Sequence, residues 1–178
     1  IPTVVYGFFA LMVITPFLQQ IFPQMAGFNA LSPGIVMGIM IIPMISSLSE
    51  DALYAVPTSL REASYGIGAT KWQTISRVIL PAATSGISAS ILLGFGRAIG
   101  ETMIVLMAAG NAANISTNIF QSVRTMTATI AAEMGEVSQG SDHYFSLFFI
   151  GIVLFTITFF LNLTAEIIIN KMRKKNRF

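Results

Sequence analysis

Cysteine is absent from the 178 residues, and histidine occurs once, at His143. A disulfide framework, an iron–sulfur cluster, a thiolate zinc site and a histidine metal cluster are therefore excluded for this chain. Charge is scarce as well. Only 10% of the residues are charged, against about 25% in an ordinary soluble domain. With 54% hydrophobic residues and a mean hydropathy of +0.74, the chain cannot cover its own surface with polar groups and reads as a membrane protein. The net charge of +2 points to no nucleic-acid partner, because five of the ten Lys and Arg residues lie between Lys171 and Arg177 and leave no basic groove. The phosphate-cradling pattern G-x-x-x-x-G-K-[ST] is missing, so ATP binding through a P-loop is excluded and no catalysis by the chain itself is expected. Gly94, Gly96 and Gly100 lack the spacing of a dinucleotide fingerprint, and Gly96-x-x-x-Gly100 is better read as a close-packing motif. The chain opens at Ile1 inside an apolar run with no Met and no basic stretch, which reads as the C-terminal part of a longer protein and not as a signal peptide.

The positions of the charges set the organisation. Residues 1–49 carry none, enough for two helical crossings of a hydrocarbon core about 30 Å thick. The break from Pro23 to Pro33 separates them. The expected fold is an all-α membrane protein, a polytopic helical bundle in a single domain 1–178. Its four transmembrane helices fall at about 3–22, 34–49, 82–110 and 144–169, with Pro16 and Pro43 kinking the first two. Arg61, Lys71 and Arg77 mark the loop 50–81, and the tail 170–178 holds five more basic residues. The segment 111–143 has Arg124 alone beside Glu133, Glu136 and Asp142. The positive-inside bias puts the loop and the tail in the cytoplasm and 111–143 outside. Four crossings require the loop and the tail to share a side, and the charge count agrees. The basic tail can also attract anionic membrane lipid.

Within the loop, Ser59 with Glu62 and Thr70 with Gln73 have the spacing of two capping boxes. Gly66 and Gly68 between them supply a turn. A short helix, a glycine elbow, a second short helix and a stop at Pro81 are expected, with Trp72 as an interfacial anchor. Such an exposed, compact helix suits a groove on a partner. The pattern Glu62-Ala63-Ser64-x-x-x-Gly68-x9-Val78-x-Leu80-Pro81 resembles the EAA loop of ABC-importer membrane subunits. That resemblance implies that Glu62, Ala63, Gly68, Leu80 and Pro81 couple the chain to an ATPase. Ser64 stands where the family usually has Ala, and Val78 where it usually has Ile.

Arg97 and Glu101 lie inside the third apolar stretch. A charge in hydrocarbon costs at least about 2.5–3.5 kcal/mol, so such residues pair or face a wet interior. At helical spacing Gly86, Ser90, Gly94, Arg97, Glu101 and Ala108 share one sector, and Leu92, Phe95, Ile99 and Leu106 lie opposite. The pair serves either as an ion pair locking neighbouring helices or as a substrate-path site, where the guanidinium meets an oxyanion in passage. His143 beside Asp142 offers no convincing catalytic arrangement. Met126, Ile130 and Met134 recur at helical spacing in the outer segment and suggest a surface helix there.

Gly96-Arg97-Ala-Ile-Gly-Glu101-Thr-Met-Ile-Val-Leu-Met-Ala-Ala-Gly-Asn111 resembles the membrane subunits of phosphate-specific ABC importers. Ile1-Pro-Thr-Val-Val-Tyr-Gly7 and Arg124-Thr-Met-Thr-Ala-Thr-Ile-Ala-Ala-Glu-Met-Gly135 agree. The resemblance covers nearly the whole chain. It implies the type I importer permease fold in the cell (inner) membrane, a cytoplasmic ATPase dimer, a second, paralogous permease subunit and an extracytoplasmic phosphate-binding protein. It implies no cofactor of the chain's own, since ATP is bound by the partners. A secondary carrier using Arg97 and Glu101 as an ion relay is the competing class. It would have no use for an ATPase-docking loop.

Overall fold

The computed structural model describes residues 2–114 and 117–175; residues 176–178 of the expected tail, and Ile1, lie outside them. The fold is all-α. Helix α1 spans Thr3–Ile21, α2 Leu31–Tyr54, α3 Thr58–Gly66, α4 Lys71–Ile99, α5 Met103–Ala108, α6 Met126–Glu133 and α7 Asp142–Lys175. By length and composition α1, α2, α4 and α7 are each able to cross a membrane, which is the expected number. Among the described residues there is no strand, only an isolated bridge between Gly110 and Val123.

Two of these helices contain a single π-helical turn, and each turn stops two residues short of a proline. Ala10–Ile14 precedes Pro16, and Ile75–Ile79 precedes Pro81. Proline lacks an N–H and its ring collides with the preceding turn of an α-helix. A locally widened turn removes both difficulties. At the first, the Thr15 hydroxyl donates to the Ala10 carbonyl at 3.0 Å. Pro81 is therefore not a stop. α4 begins at Lys71 and runs unbroken to Ile99, where the sequence suggests a short helix followed by a separate span from residue 82. Pro43 likewise sits inside a continuous α2.

α4 also ends earlier than expected. Residues Gly100–Thr102 are non-helical and α5 starts at Met103, so the apolar stretch 82–110 is two helices. The small-residue face exists up to that point, with Ser90 and Gly94 buried and Phe95 exposed.

The chain divides into two compact units, Ile1–Ile41 with Arg97–Phe159 and Ile42–Gly96 with Phe160–Phe178. In the first, Ala10, Val36, Ile104 and Ala108 form the core, flanked by Tyr6, Leu11, Ile14, Met37 and Met40. α1 reaches α5 closely because position 7 is glycine. A Cβ there would lie 2.9 Å from the Met107 sulfur and 3.1 Å from the Met103 carbonyl. Buried Asn29 ties the turn before α2 together. Its Oδ1 accepts from the Ser32 amide at 2.8 Å, and its own backbone amide donates to the Ala108 carbonyl. In the second unit Val56, Ile79 and Ala83 are buried against Leu53 and Ile87. Its close approach is at Gly86, where a Cβ would lie 2.5 Å from the Ala52 Cβ. Gly96 is less crowded, its nearest neighbour being Asn162 Oδ1 at 3.6 Å, so the close packing expected at Gly96 is found ten residues earlier.

Along α7 Phe145, Phe149, Phe155 and Phe160 are all more than half exposed. In water such a helix would aggregate. In a bilayer these side chains need no protein partner.

Candidate functional site

The elbow between α3 and α4 is built by its own hydrogen bonds. α3 starts at Thr58 with extended Pro57 as its cap, and no side chain caps it. The box expected from Ser59 and Glu62 does not form, because Ser59 falls inside the first turn and not at the cap. At the other end the Gly68 amide donates to the Tyr65 carbonyl at 2.9 Å, and the Ala69 amide to the Ser64 carbonyl at 3.1 Å. Gly68 has φ +83°. This is the Schellman closure, whose left-handed residue is normally glycine.

The box at Thr70 is formed. The Gln73 amide donates to Thr70 Oγ1 at 3.3 Å, and the Thr70 amide to Gln73 Oε1 at 2.9 Å. The buried hydroxyls of Ser64 and Thr74 sit 2.9 Å apart and pin α3 to the first turn of α4. Ser64, one of the two departures from the EAA pattern, thus has a structural partner that Ala would lack. Arg61 Nη2 donates to the Leu53 carbonyl at 2.7 Å and fixes α3 to the end of α2.

These bonds leave an outward face. Glu62, Ala63 and Gly68 are exposed together on the elbow, with Ile67 at 87% and Trp72 at 75% exposure. Leu80 and Pro81 are also exposed, but lie farther along α4 and not on the elbow.

Arg97 and Glu101 are brought together, although not on one helix. Arg97 is in the last turn of α4 and Glu101 in the break after it. Arg97 Nη1 lies 3.1 Å from Glu101 Oε2, an ion pair that falls short of hydrogen-bond geometry. The two partners differ sharply in environment. The Glu101 side chain is 2% exposed and that of Arg97 43%.

Glu101 Oε1 accepts from the amide of Met103 at 3.2 Å and reaches that of Ile104 at 3.5 Å. The carboxylate thus satisfies amides that open α5 and would otherwise lack partners. This explains the break: the side chain offers the chain an alternative to continuing the helix. The result is a fixed, buried anion beside a half-exposed, multidentate cation, an arrangement able to take up and release an oxyanion without moving the carboxylate.

Two further contacts had no clear signal in the sequence. Thr127 Oγ1 donates to the Glu101 carbonyl at 3.0 Å, and Thr125 caps α6 through the Ala128 amide at 3.3 Å. The alternation Thr125, Thr127, Thr129 around the start of α6 is the only hint. Near them Glu133 joins Arg124 at 2.7 Å and His143 at 2.9 Å. Arg124 Nε also donates to the Asn111 carbonyl at 2.8 Å. His143 therefore belongs to a surface polar cluster that holds α6.

The family described as "Binding-protein-dependent transport system inner membrane component" matches residues 1–174. The probable ABC transporter permease protein YqgH of Bacillus subtilis (strain 168) is 41% identical over 159 residues, covering 89% of this chain and 52% of that protein. The phosphate transport system permease protein PstC of Mesorhizobium japonicum is 39% identical over 178 residues, covering 89% and 54%. PstC of Xylella fastidiosa (strain 9a5c) is 33% identical over 194 residues, covering 98% and 59%. The chain spans about half the length of the curated relatives it matches. No solved structure matches it.

Two substitutions test this geometry. Glu101→Ala removes both the ion pair and the amide acceptor, and should destabilise the purified protein by about 0.5–2 kcal/mol, the range for a lost helix cap. Glu101→Gln keeps the acceptor oxygen and should lose less, so equal melting temperatures for the two variants would contradict the capping role. Gly68→Val forces a branched residue into the left-handed region at a cost of roughly 1–2 kcal/mol. Faster proteolysis confined to the elbow is the expected readout, and an unchanged digestion pattern would contradict the closure.

Proposed function

Because the chain belongs to the family of binding-protein-dependent transport system inner membrane components, we propose that it is the permease subunit of an ATP-driven importer whose solute is inorganic phosphate. The observation that carries the reading is its likeness, along nearly its whole length, to proteins described as phosphate transport system permeases. On this reading the chain adopts the type I importer permease fold in the inner membrane. The α3–α4 elbow and the tail are cytoplasmic and the α6 segment is outside, as the Lys and Arg distribution favours.

Its partners are a cytoplasmic ATPase dimer, a second, PstA-like permease subunit and an extracytoplasmic phosphate-binding protein, with lipid around the apolar helices. ATP is held by the ATPase, and the chain carries no cofactor. The elbow suits the ATPase contact: a rigid Schellman turn presents Glu62, Ala63 and Gly68 beside exposed Ile67 and Trp72, the kind of compact apolar anchor that a groove accepts. Leu80 and Pro81 contribute through the wide turn that lets α4 continue out of the elbow. A secondary carrier would gain nothing from such an elbow.

The solute site is assigned to Arg97, with Glu101 holding it. Phosphate near neutral pH presents anionic oxygens that match the fork of a guanidinium. Tight binding would trap the ion. Arg97 must exchange partners, and the amide-anchored Glu101 takes the guanidinium back once phosphate has left. Sulfate or another oxyanion would satisfy the same chemistry, and the likeness to phosphate permeases is what favours phosphate.

Arg97→Lys separates a path residue from a helix lock. Charge reversal would not, since an arginine in place of Glu101 cannot accept from the Met103 amide. The lysine side chain preserves an ion pair with Glu101 but loses the fork. A charge-assisted bond is worth roughly 1.5–3 kcal/mol, so ATP-dependent phosphate uptake per assembled complex should fall about tenfold or more. Wild-type uptake in Arg97→Lys would leave Arg97 a structural residue only.

A further inference from the structure

The stretch Arg124-Thr-Met-Thr-Ala-Thr-Ile130 has no part in the path or the elbow, yet it touches the one break in the apolar stretch 82–110. Thr127 Oγ1 donates to the Glu101 carbonyl at 3.0 Å across 26 residues of sequence. It also lies 3.2 Å from Thr125 Oγ1. The roles follow from counting protons. The single proton of Thr127 goes to Glu101, so Thr125 supplies the donor between the two hydroxyls while accepting from the Ala128 amide. The bonds therefore run in one direction, from the capped start of α6 through two hydroxyls to the carbonyl of Glu101. Such a chain polarises each member toward the next.

The far end of α6 is anchored separately, by Glu133 to Arg124 and His143. α6 is thus a braced outer helix whose first turn holds the backbone of Glu101. The Glu101 side chain, in turn, faces Arg97 and the amides of α5.

We propose that Thr127 is a positioning residue for the Arg97–Glu101 pair: its hydroxyl fastens the backbone of the helix break to α6, so that the carboxylate keeps the place from which it receives and releases the guanidinium. Only the transport arm of this inference rests on the reading of Arg97 as a path residue. The fastening itself stands on the geometry. Thr127 touches no solute and acts through Glu101. A displacement of α6 moves the Glu101 carbonyl with it, so a contact made on the outer helix is felt at the pair without any residue between them changing its rotamer.

The test compares Thr127→Val, which keeps the shape and removes the hydroxyl, with Thr127→Ser, which keeps the hydroxyl, both in the assembled transporter. Amide hydrogen exchange is followed over 101–106 and 126–133, and phosphate uptake is measured per assembled complex. In Thr127→Val, exchange over 101–106 should quicken and uptake fall, each by roughly two- to tenfold, the span implied by one lost neutral hydrogen bond. Exchange over 126–133 should stay at the wild-type rate, and Thr127→Ser should restore both readouts.

Wild-type exchange over 101–106 in Thr127→Val would overturn the fastening. Equal quickening over 126–133 would make Thr127 a residue of α6 stability and overturn the proposal as well. Quickened exchange with wild-type uptake would overturn the positioning role. Failure of the path reading is seen elsewhere, as wild-type uptake in Arg97→Lys, and so is not confused with any of these outcomes.

Discussion

The cost of placing an ionised pair in an apolar segment constrains everything around Arg97 and Glu101. An unpaired charge in hydrocarbon is expensive, and a buried pair offsets its desolvation only if its remaining hydrogen-bonding capacity is met. This chain meets that need at one carboxylate oxygen by interrupting the helix. Glu101, almost wholly buried, gives one oxygen to the amides that open α5 and turns the other to Arg97. The break is therefore the means by which the buried carboxylate is stabilised. It also leaves Arg97 as the exposed member of the pair.

The need to satisfy backbone groups at a proline or a helix end explains the irregular turns. Prolines 16 and 81 are accommodated by π-helical turns placed just ahead of them, so that α1 and α4 remain continuous. At the elbow, Gly68 closes α3 with two backbone bonds, and the Ser64–Thr74 contact replaces solvent for two buried hydroxyls. A surface made rigid in this way loses little conformational entropy when a partner covers it, a property suited to the ATPase contact proposed for the elbow.

Much of this was legible in the residues, and the remainder failed for identifiable reasons. Long uncharged runs define spans because hydrocarbon thickness fixes how many apolar residues are needed. The Thr70–Gln73 box and the left-handed Gly68 follow from local chemistry. Helix ends were harder. Pro81 reads as a stop unless the π turn before it is foreseen, and π turns carry no simple residue signature. Gly100–Thr102 reads as helix because Met103–Ala108 continues the apolar pattern, and only the capture of amides by Glu101 breaks it. Ser59 missed its cap because Pro57 sets the entry to α3. Thr127 was invisible, since its partner is a backbone carbonyl 26 residues away and periodicity within a segment carries no information about that contact.

On the proposed function, this chain passes an oxyanion only when an ATPase drives it. The most direct measurement is uptake of radiolabelled phosphate into proteoliposomes holding the purified complex, with binding protein outside and ATP supplied to the ATPase side. Accumulation should need both ATP and the binding protein and be indifferent to an imposed proton gradient. Accumulation driven by a proton gradient without ATP would contradict the proposed function.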